Sequence, residues 1–341
     1  MTSSTKCVSK IEAESISNRV NLESFNYKRV LITGGTGMIG SYLIEALCKA
    51  CALQGVSPKE INLVVRKGSH SKISELGAYP FVKFSDWSDG DSDRFRGFQF
   101  LIHAASPASP LSYPSLAELS EVNVGMLTQM ITKDTERVLF ISSGEIYGSA
   151  AATPVSEDFV GKINHLEARS AYPLAKIEAE KLGTEICTSL GIDFRIVRLF
   201  HSFGPGVKEN DGRSFADFLW QSARGNLPTL FSKGNTLRTF LYSEDAVVAM
   251  LSILSKEKLA GPINVGSDKP LSILDFASMV SRISGHGGRV QYLLEKQSYT
   301  MSPNQALIPD TSKLRSMGWN QHVGLEETIR RTLFWIKNQI N

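Results

Sequence analysis

Two residues spaced by four, Tyr172 and Lys176, are the first candidates for chemistry. This spacing places both side chains on one face of a helix. A tyrosine hydroxyl has a pKa near ~10, and an ammonium one turn away lowers that pKa, so that the phenol can exchange a proton at neutral pH. Ser143 ends an apolar run and offers a hydroxyl to a substrate oxygen, and Glu145 follows it. These four residues predict catalytic proton transfer at a substrate hydroxyl.

A glycine turn near the start of the chain supports this interpretation, because an isolated Tyr-Lys pair is more often an exposed helix pair. The apolar run 30–32 is followed by Gly34, Gly37 and Gly40, and residues 38–50 have a helical pattern. A strand, a tight glycine turn and a helix N-terminus form a cradle for a diphosphate, although the same turn could be purely structural. The predicted contacts of this cradle are Gly34, Gly37, Met38, Ile39 and Gly40.

The elements that position these residues alternate between strand and helix. Apolar runs at 61–65, 81–84, 98–102, 137–143 and 194–200 predict further buried strands. The alternation predicts an α/β fold, a Rossmann-like doubly wound parallel sheet with a smaller C-terminal α/β substrate lobe. We divide the chain into a polar, flexible or loosely docked extension (1–27), a dinucleotide-binding domain (28–200) and a mainly substrate-binding lobe (201–341), possibly interleaved with the first.

The end of the second strand decides the type of dinucleotide. A carboxylate there binds the ribose hydroxyls of NAD, whereas a basic residue accommodates the 2′-phosphate of NADP. Arg66 and Lys67 occupy this place and favour NADP, although NAD beside a solvated basic loop stays open. Predicted contacts further along the cofactor are Asp86 and Trp87 at the adenine, Ala104, Ala105 and Ser106 after the fourth strand, Asn123 on a helix predicted over 116–132, and Tyr172 and Lys176 themselves.

Composition limits the remaining function classes. A net charge of +3 does not indicate binding to nucleic acid or to a membrane, and no apolar stretch reaches the ~20 residues that span a bilayer. The four cysteines lack the spacing of metal ligands, and Cys48 and Cys51 at a helix end are expected to be buried thiols. We therefore expect no metal site and a cytoplasmic location.

Several motifs together resemble extended short-chain dehydrogenases/reductases of the nucleotide-sugar epimerase/dehydratase type, and UDP-glucuronate decarboxylases most of all. The segments that carry the resemblance are 103–110, 143–148, 203–205, 210–213 and 238–245. The resemblance implies a nucleoside-diphosphate sugar as substrate, contacted by Ser143, His201, Arg213 and Arg238, with His201 in place of the usual asparagine. It also implies that a nicotinamide takes a hydride from sugar C4 while Tyr172 takes the O4 proton. Related enzymes form homodimers through two helices, here 116–132 and 172–190.

The resemblance leaves the exact reaction open. Dehydratases carry Thr-Asp-Glu where this chain has Ser143-Gly144-Glu145, so the acid that releases water is missing. Loss of CO₂ from a 4-keto glucuronate needs no such acid. Decarboxylases of this type, however, carry an arginine two residues before a late proline, and Leu307 holds that place.

Three alternatives to decarboxylation follow. The first is epimerisation at C4 or C5 of another nucleotide sugar. The second is reduction of a 4-keto sugar by NADPH, in which Glu145 has no evident task. The third is a nucleotide-binding regulatory protein without turnover, against which the intact Ser143, Tyr172 and Lys176 argue.

Overall fold

The computed structural model describes residues 7–87, 92–109, 114–148, 154–294 and 306–340. The strands of this part are β1 Arg29–Thr33, β2 Glu60–Val65, β3 Val82–Asp86, β4 Phe100–His103, β5 Arg137–Ser143, β6 Asp193–Leu199, β7 Ser202–Phe203, β8 Thr229–Leu230, β9 Leu237–Arg238, β10 Leu241–Tyr242, β11 Ile263–Val265, β12 Leu271–Ser272, β13 Gln291–Tyr292 and β14 Ala306–Leu307. The helices are α1 Lys10–Arg19, α2 Met38–Gln54, α3 Leu116–Ser120, α4 Met126–Met130, α5 Ala171–Leu190, α6 Ser214–Ala223, α7 Ser243–Ser255, α8 Ile273–Ile283, α9 Ser312–Ser316 and α10 Leu325–Ile340.

Seven strands form one parallel sheet in the order β11-β6-β5-β4-β1-β2-β3. Apolar side chains on both faces of these strands pack under helices, α2 and α7 on one face and α5 with α4 on the other. The predicted doubly wound sheet is therefore confirmed. Its strand order reverses between β1 and β4, and the crevice at such a reversal is where ligands bind in open α/β sheets.

The second half of the chain contributes to both lobes. Strand β11 and helix α7 belong to the main sheet and its covering layer, although both follow residue 200. The smaller lobe has its own apolar core, in which the rings of Phe240 and Phe276 stack with centroids 4.3 Å apart. The segment around Arg238 runs through two small sheets, β12-β9-β14 and β10-β7.

The N-terminal segment is folded from residue 7 onward, so the prediction of a flexible or loosely docked extension is wrong there. Ile16, Leu22 and Phe25 are fully buried. Arg19 forms ion pairs with Glu244 at 3.2 Å and with Asp245 at 2.6 Å. Average polarity concealed this segment because only a few of its residues are apolar, although most of them are buried, and because Arg19 finds its partners on α7.

The helix predicted over 116–132 is interrupted. Helices α3 and α4 are joined by a π-helical turn, Glu121–Gly125, and the run ends at Met130. None of the helices in the described part of the chain could cross a bilayer. Within the same residues, no group of three or more His, Cys, Asp or Glu side chains is arranged to hold a metal ion.

Candidate active site

The glycine turn leaves β1 and starts α2 with no room for side chains at two of its three glycines. Gly34 has φ +76°, and a Cβ there would lie 2.4 Å from the Ala104 carbonyl carbon. A Cβ at Gly40 would lie 2.1 Å from the Gly34 carbonyl oxygen. At Gly37 the nearest atom would be 3.3 Å away, within the turn itself. Gly34 and Gly40 thus permit close backbone packing, whereas Gly37 leaves the start of α2 open to a ligand.

The N-terminus of α2 is suited to bind an anion. Gly37 is the N-cap residue and supplies no side-chain hydrogen bond, so the first amide groups, those of Met38, Ile39 and Gly40, have no capping side chain. Unpaired N–H groups and the positive end of the helix dipole both favour a phosphate there.

The exit of β4 is fixed by a buried hydrogen-bond chain. The Ala105 amide donates to Thr33 Oγ1 at 3.2 Å, and Thr33 Oγ1 lies 2.9 Å from His103 Nδ1. His103 Nε2 lies 3.1 Å from the Val122 carbonyl oxygen in the π-helical turn. Because a carbonyl only accepts, Nε2 carries the proton and Nδ1 accepts from Thr33. Burial and the nearby charge of Lys176 lower the pKa of His103 to about 3, so this histidine is a neutral structural link.

Two polar atoms beside this chain are buried with no protein partner among the described residues: Ser106 Oγ and Asn123 Oδ1. The amide nitrogen of Asn123 donates to the Leu119 carbonyl oxygen at 2.8 Å, which fixes the side chain. Buried polar atoms are normally satisfied, so an unpaired hydroxyl and an unpaired amide oxygen indicate places for water or a ligand.

Lys176 joins α5 to β5. Its ammonium donates to the Ile141 carbonyl oxygen at 2.7 Å and lies 5.9 Å from the centre of the Tyr172 ring. Burial lowers the pKa of Lys176 to about 7, and the carboxylate of Glu180, one turn further on, opposes this shift. Lys176 Nζ also lies 4.8 Å from the centre of the Phe140 ring, which stacks on the His103 ring with centroids 5.9 Å apart, so the ammonium lies close to the end of β4.

Ser143 and Glu145 stand where β5 leaves the sheet. The Glu145 amide donates to Ser143 Oγ at 3.1 Å, which orients the hydroxyl at the strand end. A Cβ at Gly144 would lie 3.0 Å from the Phe200 ring, so an acidic side chain fits there only if that ring moves. Glu145 Oε1 lies 3.8 Å from an Arg169 guanidinium nitrogen.

His201 follows β6 among positive charges. Burial, followed by Arg238, Arg213 and Arg169, lowers the pKa of His201 to about 3, and its Nδ1 is buried with no partner in the described part of the chain. Arg238 is buried too, and burial together with Arg169 lowers its pKa to about 10. A neutral imidazole beside guanidinium groups can accept or donate one hydrogen bond, but it cannot add charge.

The guanidinium of Arg213 is already engaged within the protein. It contacts the Asp211 carboxylate at 3.0 Å and donates to the Ala108 carbonyl oxygen at 2.8 Å. Ser109 Oγ donates to the Asp211 carbonyl oxygen at 2.7 Å. Arg213 thus links the segment around Ala108 to the segment around Asp211. Its contact with the substrate remains a prediction.

The predicted adenine end lies after β2 and β3. Arg66 and Lys67 are exposed directly after Val65. Asp86 lies 2.7 Å from His70 Nε2, and the Trp87 ring stacks on Phe95 with centroids 6.2 Å apart. The basic pair is therefore available at the strand end, while Asp86 and Trp87 have partners within the protein.

Arg169 is not among the predicted site residues, because it belongs to no recognised motif. The only signal was its position three residues before Tyr172, ahead of the helix start. At position 307 the prediction concerned only the arginine that is absent there. In the structure Leu307 is buried beside Ile146, Tyr147 and Phe200, and it is the register partner of Arg238.

Known proteins resemble this chain in sequence. Residues 30–266 match the NAD dependent epimerase/dehydratase family. UDP-glucuronic acid decarboxylase 1 of Xenopus tropicalis is 28% identical over 318 residues, covering 92% of this chain and 73% of that protein.

Solved structures share the fold. A UDP-N-acetylglucosamine 4-epimerase from Methanobrevibacter ruminantium superimposes with a TM-score of 0.80 at 22% identity, covering 92% of this chain and 99% of that one. A UDP-glucuronic acid 4-epimerase from Bacillus cereus, solved with UDP-glucuronic acid and NAD, gives 0.77 at 22% identity, covering 92% and 100%.

Proposed function

This chain belongs to the NAD dependent epimerase/dehydratase family, and we propose that it decarboxylates a UDP-linked uronic acid by transient oxidation at sugar C4. One observation carries the proposal. Tyr172 and Lys176 lie on one face of α5, and the Lys176 ammonium donates to Ile141 of β5, two residues before Ser143. Binding of a nucleotide alone would not require a phenol held against a buried ammonium.

The crevice fits a dinucleotide. The amide groups at the start of α2 would bind the diphosphate, and Ser106 Oγ offers a buried, unpaired hydroxyl further along. NAD, when bound, supplies the hydride acceptor. Arg66 and Lys67 would add affinity for a 2′-phosphate, and we propose that the protein also accepts NADP, which a comparison of the two cofactors tests directly.

The roles of the protein groups follow from their charges. Ser143 would hold the O4 hydroxyl, and Tyr172 would take its proton as C4 becomes a ketone. Lys176 is buried, so its ammonium acts on the phenol through a medium of low dielectric constant and stabilises the phenolate strongly. The hydrogen bond from Lys176 to the Ile141 carbonyl oxygen fixes the distance at which it acts.

Decarboxylation accounts for the triplet at the end of β5. A 4-ketone makes the C6 carboxylate that of a β-keto acid: the C5–C6 bond breaks, CO₂ leaves, and its electron pair forms an enolate that then takes a proton at C5. Return of the hydride to C4 and of a proton from Tyr172 to O4 would then restore the hydroxyl, so that no cofactor is consumed. No acid is needed at position 144, where Phe200 packs against Gly144. The names of the curated relatives support the same reaction.

The phosphates of the substrate would lie against the basic group in the smaller lobe. Arg238 is placed there by β9, and a guanidinium suits bidentate recognition of phosphate. His201, which is neutral, would donate or accept one hydrogen bond.

We further propose a homodimer that uses α5 and the α3–α4 run. Leu116, Ile177 and Leu190 on these helices are exposed apolar residues. Light scattering on the purified protein tests this assembly, and a monomeric mass contradicts it.

The experiment for the reaction itself compares the wild type with Tyr172→Phe. We expect the wild type with catalytic NAD to release CO₂ from UDP-glucuronate without net cofactor consumption. The variant keeps the ring and loses the phenol, and we expect turnover to fall by about a thousandfold. Water loss from UDP-glucose, inversion at C4 or stoichiometric NADPH oxidation would each assign another reaction. A wild type with no turnover on UDP-, GDP- or dTDP-sugars would contradict the enzyme proposal.

A further inference from the structure

Arg169 stands at the sugar end of the proposed substrate site. It belongs to the short 3₁₀-helix Ala168–Ser170, which runs directly into α5 and so into Tyr172. Its guanidinium lies 3.8 Å from Glu145, and only a fifth of its side chain is exposed. Arg169 therefore lies beside Glu145 and three residues before Tyr172, whereas Arg238 enters from β9 of the smaller lobe.

The side chain at position 307 cannot bind the carboxylate of a sugar. Leu307 is almost fully buried in an apolar cluster with Ile146, Tyr147 and Phe200. Its backbone is tied to β9 by the register pairing with Arg238. A carboxylated sugar must therefore find its cation on another element.

Three guanidinium groups act on one region of the site. Burial, followed by the charges of Arg238, Arg213 and Arg169, lowers the pKa of His201, and burial followed by the charge of Arg169 lowers the pKa of Arg238. Arg213 is engaged by Asp211 and the Ala108 carbonyl oxygen. Like charges gathered in a partly buried cleft are stabilised by an anionic ligand, and two separate guanidinium groups suit a ligand with two anionic groups.

We propose that Arg169 binds the carboxylate at C6 of the sugar and thereby selects a uronic acid, a role that rests on the proposed function. A planar guanidinium accepts a carboxylate bidentately, and the partly buried position strengthens the pair. The Glu145 carboxylate, 3.8 Å away, helps to orient the guanidinium. Arg169 is thus the specificity-determining residue, placed in the 3₁₀-helix just before α5, and Arg238 serves the diphosphate.

The test measures binding by calorimetry to the NAD-loaded protein. The probes are UDP, UDP-glucose and UDP-glucuronate, and the variants are Arg169→Gln, Arg169→Lys and the control Arg224→Gln. Arg224 is a half-exposed arginine of the smaller lobe that pairs with Glu209. We expect the wild type and the control to bind UDP-glucuronate at least about tenfold more tightly than UDP-glucose. Arg169→Gln should lose this preference and keep its affinity for UDP, and Arg169→Lys should recover part of the preference.

The inference is overturned if the wild type shows no preference or if Arg169→Gln retains it. It is also overturned if Arg169→Gln weakens UDP as much as UDP-glucuronate, because Arg169 would then bind phosphate. If Arg169→Gln loses the preference for UDP-glucuronate and the wild type nevertheless releases no CO₂, the carboxylate site is supported. Only the proposed reaction is then contradicted. Thermal unfolding of each variant separates loss of binding from loss of fold.

Discussion

Lys176 points its ammonium at the face of the Tyr172 ring, 5.9 Å from the ring centre, while donating to the Ile141 carbonyl oxygen of β5. Both residues lie on one side of α5, and Glu180 follows one turn later. The arrangement places a full charge in a site from which water is nearly excluded. Such a charge serves the phenol and costs stability.

The first prediction concerns that cost. The folded pKa of Lys176 is about 7, well below its usual value, so the unfolded chain binds more protons above pH 7. The free energy of unfolding of the wild type should therefore rise between pH 7 and pH 10. Lys176→Met should lack this rise, be more stable than the wild type at pH 6 and have no turnover. Urea unfolding at both pH values measures the effect, and equal pH dependence in the two proteins would show that Lys176 is not the cause.

The second prediction concerns His201. Its pKa is about 3, so the imidazole is neutral throughout the range in which the enzyme would be assayed. His201→Asn should keep turnover within about fivefold and leave the pH profile from 5 to 9 unchanged, because one hydrogen bond is worth about 1 kcal/mol. His201→Leu serves as the comparison that removes the hydrogen bond. A limb of the pH profile that disappears in His201→Asn would mean that the histidine titrates during turnover.

The third prediction separates two glycines of the same turn. A Cβ at Gly40 meets the Gly34 carbonyl oxygen at 2.1 Å, so Gly40→Ala should destabilise the fold by about 3 kcal/mol or prevent folding. Gly37→Ala meets only a 3.3 Å contact, so it should fold and bind NAD at least about tenfold more weakly. Differential scanning calorimetry with and without NAD distinguishes the two. Equal thermal midpoints for both variants would refute this division of roles.

The fourth prediction tests the docking of α1. Ile16 is fully buried, and Ile11 on the same helix is 74% exposed. Ile16→Ala should lower the free energy of unfolding by about 3 kcal/mol, whereas Ile11→Ala should change it by less than about 0.5 kcal/mol. Chemical denaturation measures both. Similar values for the two variants would indicate that the helix does not contribute to the cooperative unit.

The sequence was sufficient for features whose physics is local. The apolar runs of β1 and β5, the glycine turn and the Tyr172–Lys176 spacing each need only neighbouring residues to be interpreted. The π-helical turn at Asn123 was missed because apolar periodicity does not record a shift in hydrogen-bond register. Arg169 was missed because its significance depends on Glu145, which approaches it only after β5 and α5 have packed together.

Glu244 contacts Arg19 of α1 at 3.2 Å and Arg331 of α10 at 3.2 Å, so one carboxylate fastens the first and the last helix to α7. Trimming either end of the chain, by a protease or by design, would leave this acid facing a single cation and would loosen the opposite end as well. Shortening the protein to its family-matched residues 30–266 would remove Arg19 and Arg331 together. The carboxylate of Glu244 would then keep neither of these cations.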